Sequence, residues 1–349
     1  MFRSRWVLRL TIAIGSVIAL ALTAGVWVVV ANDFAMTEER VTIPGPTQPL
    51  QGALALPKDQ DGPVGLVVFV HGDGPADADQ DSFYRPLWES FARAGYASLS
   101  WDKPGINGAP GNWLDQTMHD RAVEAEAAIA WAAARGDIDP RRIGMWGISQ
   151  AGWVVPEVAV RHPELQFVIL AGPAINWLRQ GEYNTNAELG HRNASDTEIA
   201  AARQRRTGVL ELLRANATYE QYLAAGVDPA PMSADRWRFA GRNYLSDVSE
   251  WLPRLRIPVL LALGEQDLNV DVAETARVYR ELVPTGLLTV DLYPNASHTI
   301  ARADLDNDQG LRSVLVALFA PRSLYAPGYL DNLRNFAERQ APAIVRSSK

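Results

Sequence analysis

Short apolar runs that end in glycine-rich loops constrain this chain most. Leu66-Val67-Val68-Phe69-Val70 leads into His71-Gly72-Asp73-Gly74-Pro75, and the run from Phe167 to Ala171 leads into Gly172-Pro173. The run from Ile257 to Leu263 leads into Gly264-Glu265-Gln266-Asp267. Runs of this length without polar alternation read as strands buried on both faces. Tyr96 to Trp101 and Leu287 to Tyr293 add two more strands, and Val41 to Leu56 reads as a strand pair around Pro44-Gly45-Pro46. Between them lie helical stretches: Phe83 to Gly95, an Ala-rich one capped by Asp115 or Thr117 and running to about Arg135, and Val272 to Leu282. Such alternation demands a mostly parallel, doubly wound sheet with helices on both faces, an α/β fold.

One junction carries chemistry. In Arg142-Ile143-Gly144-Met145-Trp146-Gly147-Ile148-Ser149-Gln150-Ala151-Gly152 a buried strand gives way to a helix start, with Ser149 on the turn. A sharp strand-to-helix turn crowds the serine, and small residues two before (Gly147) and two after (Ala151) relieve the crowding. The turn lifts the hydroxyl clear of the sheet and lets the backbone N–H of Gln150 face a developing oxyanion. A plain capping serine is the bland alternative. The second oxyanion donor expected is the backbone N–H of Asp73, in the glycine-rich loop after Val70.

A serine hydroxyl is a poor nucleophile at neutral pH and needs a base, which in turn needs an orienting acid. Of the five histidines, His119 lies at the start of the Ala-rich helix, His162 at a helix end and His191 in the cap insertion, and His71 reads as a structural member of the glycine-rich loop. Only His298 lies just beyond a late strand, on the edge where Ser149 emerges. Asp267 follows a buried strand at that same edge, and Asp271, four residues on, is the rival acid. The order Ser149, Asp267, His298 suits this architecture.

With these motifs in hand, the chain resembles the bacterial α/β-hydrolases, near the dienelactone-hydrolase-like and serine-aminopeptidase-like branches that include small-ester esterases. The resemblance rests on His71 to Pro75, Trp101-Asp102-Lys103-Pro104-Gly105, Trp146 to Gly152, Gly264 to Asp267 and Ser297-His298, and it spans roughly residues 65–320. It implies Ser149 as nucleophile, His298 as base, Asp267 as acid, and an oxyanion hole from the N–H groups of Asp73 and Gln150. Two positions depart from the pattern. Ala151 stands where glycine is usual, and Asp73 brings a carboxylate close to the hole.

Three segments follow from the reading. Residues 1–35 lie outside the fold: Arg3, Arg5 and Arg9 precede an uncharged span from Leu10 to Ala31, long enough to cross a bilayer, with Trp6 and Trp27 at its two interfaces. This predicts an N-terminal transmembrane helix acting as a signal anchor, membrane contact through it, and a catalytic domain on the extracytoplasmic, periplasmic side. A cleaved signal ending at Val29-Val30-Ala31, with secretion, is the alternative. Residues 36–173 and 252–349 form the hydrolase core. Residues 174–251 contain no buried-strand run and read as a helical cap insertion, with a capping box from Ser195 to Glu198.

Composition excludes several classes. The net charge of −7 without a basic block in the soluble part argues against a nucleic-acid partner, and the lack of cysteine excludes disulfides and thiolate chemistry. Asp304, Asp306 and Asp308 alternate like a calcium loop, but glycine falls at the seventh position rather than the sixth and Leu315 stands at the twelfth, so no metal is expected. No cofactor is expected either. The function read from the sequence is hydrolysis of a small-molecule carboxylic ester with a small or medium acyl group, through an acyl-enzyme. Peptidase, thioesterase or acyltransferase activity on the same triad is the alternative, followed by a non-catalytic, membrane-tethered binding module.

Overall fold

The computed structural model describes residues 2–58, 62–306 and 310–340, with residues 2–14 as backbone alone. Eight strands form one sheet: β1 (Met36–Ile43), β2 (Leu50–Pro57), β3 (Val64–Val70), β4 (Tyr96–Trp101), β5 (Ile138–Ile148), β6 (Phe167–Ala171), β7 (Val259–Gly264) and β8 (Leu288–Tyr293). Their spatial order is β1-β2-β4-β3-β5-β6-β7-β8. The β1–β2 and β2–β4 pairs are antiparallel, and every later pairing is parallel.

Twelve helices are described: α1 (Phe2–Ala31), α2 (Arg85–Arg93), α3 (Met118–Ala133), α4 (Val155–Arg161), α5 (Trp177–His191), α6 (Asp196–Arg214), α7 (Tyr219–Ala225), α8 (Ala234–Asn243), α9 (Val272–Leu282), α10 (Ala303–Asp306), α11 (Leu311–Phe319) and α12 (Tyr329–Gln340). Alternate residues of β3 serve opposite faces of the sheet. Leu66, Val68 and Val70 pack with Ala122 and Ala125 of α3, Val158 of α4 and Tyr279 of α9. Val67 and Phe69 pack with Trp88 and Phe91 of α2 and Leu333 and Phe336 of α12. A strand covered on both sides needs an apolar residue at every position, which is why its sequence shows no alternation. Thr117, rather than Asp115, caps α3, in a reciprocal capping box with Asp120. Residues 174–251 carry α5 to α8, and Leu213, Tyr222, Trp237 and Ala240 form a small core of their own there.

The N-terminal expectation needs correcting. Among the described residues no helix is long and apolar enough to cross a membrane. The end of α1 is instead docked on the domain. Trp27, assigned to a membrane interface, donates from Nε1 to the Phe319 carbonyl at 2.9 Å, and Asn32 Nδ2 donates to the Leu318 carbonyl at 2.8 Å. Arg322 then clamps the Ala31 carbonyl at 2.6 Å. The expected transmembrane helix, signal anchor and membrane contact are therefore not supported. The fold also starts earlier than residue 36, because Phe34 is buried in the core beside α2. Arg3, Arg5, Trp6 and Arg9 lie where only backbone is described, and Asp308 and the residues after 340 lie outside the described residues.

Candidate active site

Ser149 leaves β5 with φ of +55°, a left-handed backbone that a serine adopts only under constraint. The constraint is close packing around the turn. A Cβ on Gly147 would stand 2.8 Å from Val155 Cγ2 and 2.9 Å from Ala151 Cβ, and one on Gly152 would stand 2.5 Å from Pro173 Cβ. Glycine is thus required at 147 and 152, where the strand, the turn and the loop after β6 meet. Ala151 itself is fully buried, so its methyl fits where the usual pattern has glycine. A 3₁₀ turn, Ser149–Trp153, precedes α4, and Gln150 is its second residue, among the N–H groups that lack an intrahelical acceptor.

Asp267 and His298 come together from the loops after β7 and β8. His298 Nδ1 lies 2.8 Å from Asp267 Oδ2. The other oxygen, Oδ1, accepts the N–H groups of Asn269 at 2.7 Å and Val270 at 2.9 Å. The Asp267 side chain is fully shielded from solvent, whereas that of His298 is 14% exposed. Asp271, the rival acid, is engaged elsewhere: it caps α9 through the Glu274 N–H at 2.9 Å. Gly172 has φ of +54°, and a Cβ there would meet the His298 carbonyl at 2.7 Å, so the loop after β6 also shapes the histidine's seat.

Ser149 and His298 line one cavity of about 510 Å³, shared with Gly72, Asp73 and Gln150. Trp153 and Trp177, stacked with ring centroids 5.4 Å apart, contribute its apolar wall. From the helices between β6 and β7, Gln180, Asn184 and Arg236 reach the same space. Tyr183 Oη donates to the Asp267 carbonyl at 2.9 Å, fastening α5 to the loop that carries the acid.

The Asp73 carboxylate does not stand free beside the cavity. Arg236 donates to both of its oxygens, at 2.9 and 2.5 Å, and Gln150 Nε2 donates to Oδ1 at 3.1 Å. Burial works to raise the Asp73 pKa, but the Arg236 pair and a backbone N–H outweigh it and hold the carboxyl below its usual range. His71 is buried, with Nε2 2.7 Å from the Trp101 carbonyl and Nδ1 3.1 Å from Tyr84 Oη. Burial, and then the charge of Lys103, push its pKa down to about 3, so the imidazole is neutral and structural. His119 faces Glu157, and His162 faces Glu164, both away from the cavity. Asp304 pairs with Arg302 and Arg312, and Asp306 accepts from Ser297 Oγ at 2.5 Å.

Sequence reasoning missed three cations around the site: Lys103, Arg121 and Arg236. Only Arg121 left a signal. It occupies the apolar stripe of α3, between Met118 and Ala125, where a solvated arginine has no place.

The family model of X-Pro dipeptidyl-peptidases (S15 family) matches residues 49–298. The acylamino-acid-releasing enzyme of Rattus norvegicus is 33% identical over 70 residues, which span 19% of this chain and only 9% of that enzyme. Among solved structures, an esterase from Pyrococcus furiosus superposes with a TM-score of 0.55 at 16% identity, covering 88% of this chain and 92% of its own. An esterase from Pyrobaculum calidifontis gives 0.52 at 18%, covering 91% and 89%. At these identities the structural likeness establishes the fold, that of the α/β-hydrolases.

Proposed function

The chain belongs to the X-Pro dipeptidyl-peptidase (S15) family, a serine-hydrolase type of α/β-hydrolase, and on that premise we propose that it hydrolyses carboxylic esters with small or medium acyl groups. In this reading Ser149 is the nucleophile, His298 the general base and Asp267 the acid that orients it. The observation that carries the reading is the Asp267–His298 contact of 2.8 Å opening onto the cavity that Ser149 lines.

The steps follow from these groups. His298 takes the Ser149 proton as Oγ attacks the ester carbonyl, and the backbone N–H groups of Asp73 and Gln150 receive the oxyanion. Asp267 holds the Nδ1–H tautomer and stabilises the imidazolium. His298 then protonates the departing alcohol. Water, activated by the same imidazole, releases the acid from Ser149.

The ester is favoured over a dipeptide by the charge of the cavity. A peptidase that removes N-terminal dipeptides must hold a free ammonium group, and a carboxylate does this best. Among the described residues lining the cavity, Asp73 is the one carboxylate, and Arg236 already neutralises it. The rest of the wall offers neutral groups such as Trp153, Trp177, Gln180 and Asn184, which suit an uncharged acyl chain.

Steady-state assays with p-nitrophenyl acetate, butyrate and octanoate, set against an X-Pro p-nitroanilide, test the proposal. Turnover of the esters with little cleavage of the anilide is the expected result. Preferential cleavage of the anilide would overturn the ester assignment. Absence of Ser149-dependent turnover on either class would favour a binding module.

A further inference from the structure

Lys103 follows β4 and is 3% exposed. Among the described residues it forms no ion pair with a carboxylate. Its Nζ instead donates to the carbonyls of Gly72, at 2.6 Å, and Gly74, at 2.7 Å, and stands 4.7 Å from the centre of the Trp113 ring. A buried ammonium is costly, and here two carbonyls of one loop take up its charge. Arg121, also buried, donates to the neighbouring His71 carbonyl at 2.5 Å and to Gln150 Oε1 at 2.6 Å. Three carbonyls of the loop after β3 are thus held by two cations.

We propose that Lys103 is a positioning residue for the oxyanion hole: by holding the Gly72 carbonyl it aims the Asp73 N–H at the reacting centre and strengthens it as a donor. The inference rests on the ester-hydrolase reading above. Its warrant is the geometry of a single peptide unit. The Gly72 carbonyl and the Asp73 N–H belong to the same planar trans amide, so fixing one toward Lys103 points the other the opposite way. Gly72 itself stands next to the nucleophile, since a Cβ there would lie 3.2 Å from Ser149 Cβ. Among the described residues the Asp73 N–H meets no acceptor, leaving it available to a substrate oxygen. A positive charge behind the carbonyl end of that amide also polarises it, which favours negative charge at the N–H end in a shielded site.

Arg121 complements this from the other donor. It ties the loop, through the His71 carbonyl, to the Gln150 side chain, and so couples the two backbone N–H groups across the hole. The role given to Lys103 differs from substrate binding, since its ammonium faces the back of the loop and it does not line the cavity.

The test compares Lys103→Met and Lys103→Gln with the wild type on p-nitrophenyl butyrate, together with inhibition by butylboronic acid, which mimics the tetrahedral intermediate. For Lys103→Met we expect kcat to fall about 100-fold, in line with loss of one oxyanion donor, with KM within about threefold of wild type. Boronate affinity should weaken in step with kcat. Lys103→Gln keeps a donor without the charge and should lose only about tenfold. A folded Lys103→Met enzyme with kcat within threefold of wild type, or a loss confined to KM, overturns the proposal. Should Lys103→Met not fold, the Lys103→Gln variant decides by the same split: a fall in kcat at constant KM supports the role, and unchanged kcat refutes it. Failure of the wild type on every ester would instead bring down the ester-hydrolase reading on which this role rests.

Discussion

Arg236, on α8, grips both carboxylate oxygens of Asp73, on the loop after β3, at 2.9 and 2.5 Å. The pair joins the helices between β6 and β7 to the loop expected to bind the oxyanion. It also answers the difficulty that an acidic residue poses there, because the carboxylate is neutralised before any negative charge develops on the substrate.

Arg236→Gln should therefore leave an uncompensated charge near the hole and lower kcat on a neutral ester about tenfold, a reasonable Coulomb effect at a partly exposed site. Adding Asp73→Asn to that variant should recover most of the loss. Initial-rate kinetics on the two single variants and the double variant measure the coupling. Simple additivity of the two losses would show that the pair has no electrostatic role. Raising the salt concentration should narrow the deficit of the single arginine variant.

The two candidate acids separate cleanly by substitution. Asp267→Asn removes the carboxylate facing His298 and should cost about 10⁴-fold in kcat. Asp271→Asn keeps an adequate helix cap and should leave turnover within a few-fold of wild type. Ser149→Ala should abolish turnover to within background while its urea unfolding curve stays close to that of wild type. A greater loss in Asp271→Asn than in Asp267→Asn would reverse the assignment of the acid.

Gly147→Ala tests the packing of the serine turn. Its methyl would stand 2.8 Å from Val155 Cγ2 and 2.9 Å from Ala151 Cβ, so strand and turn must part. Overpacking of this kind costs roughly 1–3 kcal/mol. Urea unfolding should register the loss of stability, and kcat should fall as well because Ser149 is carried on the displaced backbone. An unchanged midpoint with full activity would show that the turn has slack.

Buried, neutral His71 should make the protein acid-sensitive. Its pKa is pushed down to about 3, whereas an unfolded histidine titrates near 6.5. Between these values the unfolded chain binds the proton and the folded protein does not, so stability rises with pH and is lost as pH falls below about 6.5. Between pH 6.5 and 4.5 this one group should remove about 2–3 kcal/mol. His71→Gln should unfold with a shallower pH dependence over the same interval. Equal slopes for the variant and the wild type in urea titrations at the two pH values would refute the account.

Much of the architecture was legible in the sequence, and for a simple reason. A strand sandwiched between helices must be apolar at consecutive positions, so β3, β6 and β7 announce themselves locally. The serine turn was equally visible, because the small residues that relieve its crowding are sequence neighbours of Ser149. The N-terminal span misled for the same reason. An apolar count cannot register that Trp27 and Asn32 meet the end of α11 nearly 300 residues away. Between Asp267 and Asp271 the pattern could rank but not decide, since both follow β7 within a few residues. The two differ in their surroundings: the N–H groups of Asn269 and Val270 take one oxygen of Asp267 and leave the other facing His298, whereas Asp271 caps α9.

The sequence alone, then, determined the layered sheet, its order of strands and helices, and the edge at which a serine, an acid and a histidine emerge. Only the tertiary structure decided where Lys103, Arg121 and Arg236 go. Their partners are backbone carbonyls, the Gln150 side-chain amide and a carboxylate, 29 to 163 residues away on other elements. Hydrophobic patterning records whether a position is buried. It holds no record of which distant polar group will meet a buried charge, and around this serine those meetings set the electrostatics of the site.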